Sequence, residues 1–494
     1  MKHKDAQTSA QNAERARIAN EELTHALAGR PLINFDRHTT ASRIAYAGPV
    51  GRIPAARPTL SLGYYSSWNP AGAHRTIAAE TGTSLRDGEE RKHKWWPRIT
   101  DRAVADIRSF EHPPVVAGWW ALPELHDLAG PNGTVAGLPA SVRHTLEEKT
   151  ALERVLRSAG VRKRHIIPAR VYRGQLPSLT DIRSAVGARR IVVQAGHSGG
   201  GRGTVFVEDE HAMEQASRLP GPWRVSAFVE GWSSNTTVLS IPDSRGGVRV
   251  YVDRPSHTAV DIAALGAGTA KSAGHQWATA FPSQGVHDLI EAATRIGKWA
   301  WRTHGLFGLW GIDTIWTTAG PVINEINARK QATTEISGVN QQLAGYPPLA
   351  IAHLTTMLGS PVSWLPHPDE FNTLTLKAAH GSAPAPYYLK VRTRQDVTTP
   401  YDFPGSGIYR IDGKRLIWER AGAHPAEANT DRGLVLIANA PAPGTACQEG
   451  AELATIEGIS EGPALPFAGP RELSRRGKAL LQAFECLFVP TAKC

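Results

Sequence analysis

The sequence predicts an α/β fold of the mixed, α+β kind, with an N-terminal α/β domain and a β-rich C-terminal extension. Three observations carry this. The chain has 494 residues, too many for one ordinary core, so two to four domains or subdomains are expected. Helical periodicity and apolar strand-like runs alternate through the middle of the chain, with enough successive strand signals to require antiparallel pairing. Beyond about residue 371 the strand signals take over.

Taken in order, residues 1–30, opening "MKHKDAQTSAQNAERARIANEELTHALAG", read as a polar helix or tail. They lack the apolar core of a secretory signal. Residues 31–145 form the expected N-terminal α/β domain. Its first part is rich in Pro, Gly, Arg and aromatics, and "PPVVAGWWALPELHDLAG" and "GTVAGLP" give short buried strands with small helices between them. Trp119 and Trp120 are assigned to its core. Residues 146–225 form a small subdomain. It opens within "SVRHTLEEKTALERVLRSAGV", at "LEEKTALERVLRSAGV", where Leu146, Leu152, Val155 and Leu156 make an apolar stripe at helical spacing and Gly160 is the stop. Strands follow at "HIIPARVY", "RIVVQA", "GTVFVED" and "RVSAFVEG".

Residues 226–358 form a larger subdomain. Strands at "TTVLSI" and "GVRVYVD" precede a long helix, "VHDLIEAATRIGKWAWRTHG", ended by Gly305. Then "LFGLWGIDTIWTTAGPVINEINAR" reads as two strands around the turn "TTAG". Residues 359–371 look like a linker. Residues 372–494 are β-rich, with a hairpin at "GIYRIDGKRLIWER" marked by its central Asp-Gly, and a closing helix at "RELSRRGKALLQAFECLF".

Composition narrows the function classes. Hydrophobic residues make up 41% and charged residues 20%, the values of a globular protein. The net charge of +10 is spread thinly, without a basic run or an aromatic-interleaved basic motif, so no nucleic-acid partner is expected. No window reaches the roughly 18 apolar residues of a membrane span, and the cytoplasm is the expected compartment. The three cysteines, Cys447, Cys486 and Cys494, are widely spaced and suggest neither a zinc site nor a disulfide framework.

"VVQAGHSGGGRGTVFV" places five glycines between two apolar runs. Glycines let backbone N–H groups approach a phosphate, although a glycine-rich turn also has a purely structural reading. Arg202 stands where a P-loop needs Lys, and the β-branched "TVFV" reads as a strand where a P-loop needs a helix. The dinucleotide fingerprint fails on the same ground. A protein kinase would need H-R-D and D-F-G downstream, and neither occurs. What remains is a strand–loop–strand cover over the phosphates of ATP, with a metal held elsewhere.

The hairpin around "TTAG" supplies that elsewhere. Antiparallel pairing sets Asp313 opposite Glu325 to within one residue, and Asn327 shares the face of Glu325. Three hard oxygen ligands suit Mg²⁺, with Mn²⁺ as the alternative. Arg329, two residues on, faces the same way and can neutralise phosphate charge. A solvent-facing polar strand is the competing reading. It is disfavoured by Trp310, Ile312, Ile323 and Ile326 around the polar set.

These features together resemble the ATP-grasp superfamily of carboxylate–amine and carboxylate–thiol ligases, over about Val115 to Gly345. The resemblance implies an ATP-grasp fold and a site. Lys149, eleven residues before Gly160, matches the first phosphate lysine. Gln194, Ser198, Gly199, Gly200, Gly201, Arg202 and Gly203 match the strand and loop over the phosphates. Phe228, Val229 and Glu230 match the adenine hinge, and Asn235 falls near the ribose place. Asp313, Glu325 and Asn327 carry over as metal ligands, and Arg329 as the catalytic arginine. Two departures stand out. Gln194 occupies the place of a second lysine, whose load Arg202 or another basic group would have to take. Gly311 occupies the place of an arginine found in D-alanine ligases, leaving Arg254 as a second catalytic candidate.

The resemblance implies that a small carboxylate is activated by ATP as an acyl phosphate and joined to an amine or peptide acceptor, releasing ADP and phosphate. Thr333, Thr334 and Ser337 are candidate substrate contacts, with an N-cap and first helical turn as the plainer reading. The domain at 31–145 would help bind the carboxylate, and a homodimer is the default assembly. The basic, Trp-rich character and β-rich tail look most like actinobacterial peptide ligases of the pheganomycin type. Three alternatives stay open: a phosphotransferase, a carboxylase component, and a non-catalytic nucleotide-binding module. The tail segment "GTACQEGAELATIEG" resembles the β-rich end of biotin-dependent carboxylases, but no biotin-attachment segment is present, as Met-Lys occurs only at the start.

Overall fold

The computed structural model describes residues 2–36, 43–49, 51–68, 73–76, 78–79, 101–277, 280–379, 384–462 and 465–488. Three larger sheets organise them. The first is parallel and five-stranded, in the order Ala73–Thr76, Leu60–Gly63, Leu32–Phe35, Val115–Ala117, Thr134–Ala136. This is the expected N-terminal α/β domain. Its three central strands are short and buried, and the helix Pro123–Ala129 packs on them.

The second sheet has four antiparallel strands, in the order Ala169–Tyr172, Trp223–Ala227, Ile191–Ala195, Thr204–Val207. Ile191, Val193, Val207, Trp223 and Val225 alternate onto one face and form its core with the helices Leu179–Val186 and Glu210–Ser217. Side chains at the alternate positions, Gln194 and Arg224 included, take the other face.

The third sheet has eleven strands. It runs from the hairpin Gly308–Thr317 and Gly320–Asn327 through Trp232–Pro242, Ser256–Val260 and Ser272–Gln276. It then continues without interruption into Ala385–Arg392, Glu452–Ser460, Leu434–Ala438 and the hairpin Gly407–Asp412 and Arg415–Arg420, while the eleventh strand, Val248–Val252, pairs with Trp232–Pro242 off this path. The β-rich C-terminal extension is thus hydrogen-bonded into the sheet of the large subdomain. The long helix is Ser283–His304, stopped by Gly305 at φ +65°, and its apolar stripe packs on the back of the hairpin through Trp310, Ile312, Ile323 and Ile326.

Four local expectations change. The segment after residue 140 is not one helix. Ala140–Leu146 ends, Glu148 turns extended, and a short 3₁₀ turn at Lys149–Ala151 precedes the helix Leu152–Ser158. Glu148 caps that turn by accepting from the Thr150 N–H, and the freed Lys149 N–H bonds the Gly196 carbonyl at 2.9 Å. The apolar stripe survives the break, because Leu146, Leu152, Val155 and Leu156 all join the core behind the hairpin. The polar N-terminal helix, Lys2–Leu27, is docked: Ala16, Ala19, Leu23 and Leu27 are buried against the helix Leu349–Met357 and its neighbours. The stretch around 359–371 buries Val362, Trp364 and Leu365 in the same core and enters a helix at Pro368–Ala378. Finally, Cys486 is disulfide-bonded and Cys447 is free and buried, while Cys494 lies outside the described residues. Wide cysteine spacing gives no hint of such a bridge.

Among the described residues no helix is long and apolar enough to cross a membrane. Leu23 is fully buried, so Leu23→Ala is expected to cost about 2–5 kcal/mol. Denaturant unfolding measures this, and a cost below about 1 kcal/mol would show that the helix is not docked.

Candidate active site

A β-bulge builds the acidic part of the site. Thr317 pairs with Gly320 and Thr314 with Ile323, but Asp313 pairs with Glu325, so Asn324 is one extra residue in its strand. Without it, Asp313 would face Asn324 and Glu325 would turn to the apolar side, since a one-residue slip exchanges faces. With it, Asp313, Glu325 and Asn327 share the polar face.

Their partners converge from three other segments. The Lys149 ammonium donates to Glu325 Oε1 at 2.9 Å and to the Ser198 carbonyl at 2.8 Å, tying the glycine loop to the carboxylates. Asn235 donates to Asp313 Oδ1 at 2.5 Å and Asn327 to Asp313 Oδ2 at 3.0 Å. Arg329 donates to Asn327 Oδ1 at 2.8 Å, and its Nε lies 3.0 Å from Glu147 Oε1. Burial and the neighbouring Glu325 carboxylate push the Asp313 carboxyl up to about 6. Two acids forced together in a buried place are relieved by a divalent cation. The donor set therefore fits Mg²⁺ or Mn²⁺, with Asp313, Glu325 and Asn327 as the residues that would hold it.

The glycine loop is closed against the large subdomain. A Cβ on Gly201, which has φ +78°, would come within 2.6 Å of the Ala270 carbonyl oxygen. A Cβ on Gly203 would come within 2.2 Å of Ser198. Ser198 is half-buried, and Gly199, Gly200 and Arg202 are exposed at the tip. At the loop entry, His197 pairs with Glu148 at 2.6 Å and stacks on His144.

Other expected residues fall in different places. Asn235, expected near a ribose, is bonded to Asp313 and accepts from Thr333 Oγ1 at 2.6 Å. Strand pairing of Asn235 with Asp313 brings this about. Phe228 lies edge-on to Phe206 under the Arg190 guanidinium, and Val229 is half-buried beside it. Glu230 instead pairs with Arg190 at 2.7 Å and is 80% exposed.

Thr333 caps no helix with its side chain; its hydroxyl donates instead to Asn235 Oδ1, beside Asp313. Thr334 and Ser337 follow the plainer reading. Thr334 Oγ1 accepts from the Gln331 N–H, and Ser337 Oγ bonds the Thr334 carbonyl and lies 3.2 Å from Thr237 Oγ1. Arg254 is buried, flanked by Asp253, whose N–H bonds the Thr237 carbonyl, and by Ser256, which pairs with Asn235. Its Nε and Nη2 have no hydrogen-bond partner among the described residues. Gly311 has no room for a side chain: a Cβ there would meet Gln331 Oε1 at 1.6 Å.

Sequence reasoning missed several members. Trp119 and Trp120, assigned to the core, are half-buried instead. The Arg329 guanidinium lies 5.8 Å from the Trp119 ring and 6.0 Å from the Trp120 ring, and that of Arg143 lies 4.0 Å from Trp120. Glu147 joins Arg143 and Arg329. Arg224 was also missed, although an arginine alternating with Trp223, Val225 and Ala227 in a strand is a readable signal.

No protein-family model matches the sequence, and neither does any curated protein sequence. Solved structures do match. The chain is similar to a biotin carboxylase from Campylobacter jejuni, with TM-score 0.54 at 14% identity over 87% of each chain. It is similar to the biotin carboxylase domain of 2-oxoglutarate carboxylase from Hydrogenobacter thermophilus, with TM-score 0.52 at 13% identity over 86% of this chain and 85% of that one. The fold is ATP-grasp. The N5-carboxyaminoimidazole synthase from Aspergillus clavatus is a further ATP-grasp neighbour, with TM-score 0.51 at 11% identity over 93% of this chain and 99% of that one. Identities this low speak to the ATP-grasp fold, and the reaction must be argued from the side chains.

Gly201→Ala combines a left-handed backbone with an overlap on Ala270, so it should hold the loop open. Tryptic cleavage after Arg202 is expected to become several-fold faster while thermal unfolding stays unchanged. Equal cleavage rates would show that the loop does not close on Ala270.

Proposed function

We propose that this protein is an ATP-dependent ligase that activates a carboxylate as an acyl phosphate and joins it to an amine. The observation that carries the reading is the Lys149–Glu325–Asp313 arrangement under a closed glycine loop, with Arg329 beside it. These groups suit a triphosphate. Loop amides, Lys149 and Arg329 supply positive charge, while the two acids would hold the cation that ATP requires. Mg²⁺ in that place would supply charge neutralisation on the phosphates.

The chain's own contribution is positioning and electrostatics. A carboxylate oxygen attacks the γ-phosphorus, the bond to the β-bridging oxygen breaks, and ADP leaves. An amine then attacks the acyl carbon, loses a proton to a nearby base or water, and expels phosphate. Arg329, held in orientation by Glu147 and Asn327 beside the Trp119 and Trp120 rings, stabilises the transferred phosphoryl oxygens. The loop over the site keeps water from the acyl phosphate. A peptide or amino-acid amine acceptor is the preferred class, and the pheganomycin-type peptide ligases are the narrower comparison.

A second reading has bicarbonate as the acid that is phosphorylated. It is favoured by the neighbours: one biotin carboxylase was solved with bicarbonate and ADP, and the N5-carboxyaminoimidazole synthase with ADP and an aminoimidazole ribonucleotide. Both readings share the first step and differ in the acid.

Purified protein with Mg·ATP should therefore be assayed against amino acids, short peptides and bicarbonate, following ADP, AMP and phosphate separately. Acceptor-dependent ADP and phosphate with a condensed product by mass is the expected result. AMP with pyrophosphate would overturn the acyl-phosphate mechanism, and ADP without free phosphate would indicate a kinase. Glu325→Gln is expected to lower turnover about 100-fold or more, with the thermal transition retained; wild-type turnover would remove the metal assignment. Lys149→Ala should raise the KM for ATP about tenfold or more, the worth of one charge-assisted hydrogen bond. An unchanged KM would mean that Lys149 serves only the loop.

A further inference from the structure

Arg224 is a buried cation without an adequate partner. It lies in the strand Trp223–Ala227 and is 2% exposed. Among the described residues its Nη1 donates to Gln194 Oε1 at 2.6 Å. Its Nε has no hydrogen-bond partner there. A guanidinium taken out of water is costly unless an anion meets it, and Gln194 offers only a neutral carbonyl. Burial accordingly pulls the guanidinium down to about 10, and the two acids that partly offset this electrostatically are Glu153 and Glu325.

The position of Arg224 narrows the kind of anion it suits. Gln194 and Arg224 are direct cross-strand partners, and both point away from the apolar core of the small sheet. The turn Lys149–Ala151 lies over these strands through the Lys149 N–H bond to Gly196. Arg224 is therefore in the electrostatic field of the same carboxylate, Glu325, that holds Lys149. On that face the opposite end of Gln194 reaches Thr204 at the foot of the glycine loop.

We propose that Arg224, presented through Gln194, is the cationic contact of the small subdomain for the polyphosphate of the bound nucleotide. Gln194 is neutral and cannot supply this charge, and Arg202 stands exposed at the loop tip. Arg224 supplies it from the neighbouring strand, with its Nε free to donate to a phosphate oxygen. The inference rests on the nucleotide reading given above.

Equilibrium binding of Mg·ATP and of adenosine to the full chain tests it, because neither needs the unknown acid or amine. Arg224→Met is expected to weaken ATP about 10–100-fold, the worth of a hydrogen bond to a charged group. Adenosine affinity should change less than about threefold. Arg224→Lys, which keeps the charge, should retain most of the ATP affinity. The double variant Gln194→Lys with Arg224→Met moves the charge one strand over and should recover most of the loss. Equal weakening of ATP and adenosine, or a double variant no better than Arg224→Met, would show a structural role only. Unchanged ATP affinity in Arg224→Met would also overturn the proposal. If Arg224→Met fails to fold, the comparison of Arg224→Lys with wild type still decides: a lysine that binds adenosine but has lost ATP as completely as a charge deletion would contradict a cationic contact. Wild-type protein that binds neither ligand would instead remove the nucleotide reading itself.

Discussion

One extra residue governs the acidic centre. Asn324 breaks the register of the hairpin, so that Asp313 and Glu325 face each other on the polar side while Ile312, Ile323 and Ile326 stay in the core. The rest is arranged around the electrostatic problem this creates. Two carboxylates this close repel, and burial together with the neighbouring Glu325 disfavours the charged form of Asp313. Lys149 meets Glu325, Asn235 and Asn327 meet Asp313, and Arg329 orients Asn327. The strand pairing that supplies Asn235, the broken helix that supplies Lys149 and the closed glycine loop each hold one of these partners in place.

Charge is distributed unevenly around that centre. Arg254 and Arg224 are both buried with guanidinium nitrogens unbonded among the described residues, whereas Arg43 Nη2 donates to both oxygens of Glu457, at 2.8 and 2.7 Å. Buried cations so poorly matched are uncommon in folded proteins. The contrast separates an arginine paired across the fold from two whose guanidinium nitrogens are left unbonded among the described residues.

Much of this was legible in the sequence because it follows from short-range rules. The turn "TTAG" and the alternation on either side placed Asp313 opposite Glu325 to within the one residue that the bulge takes up. Gly305 marked the end of the long helix, and Asp-Gly marked the C-terminal hairpin. What stayed hidden depends on contacts between distant segments. Nothing local says that Glu148 should leave the helix, because the gain is the bond from Lys149 to Gly196, 47 residues away in the chain. Trp119 and Trp120 look like core residues until Arg143 and Arg329 are found beside them. Asn235 reads as a ligand-binding residue of a hinge region until its strand is paired with the one that carries Asp313.

The unbroken large sheet also bears on how this chain can be divided. The strand Ser272–Gln276 has Ser256–Val260 on one side and Ala385–Arg392 on the other. A fragment ending near residue 360 would keep every acid of the centre yet expose the second side of Ser272–Gln276 as an open row of unpaired N–H and C=O groups. Such an edge recruits other strands and favours aggregation. The C-terminal strands therefore cover an edge that the acidic half would otherwise expose, and a shorter fragment would need that edge capped or redesigned.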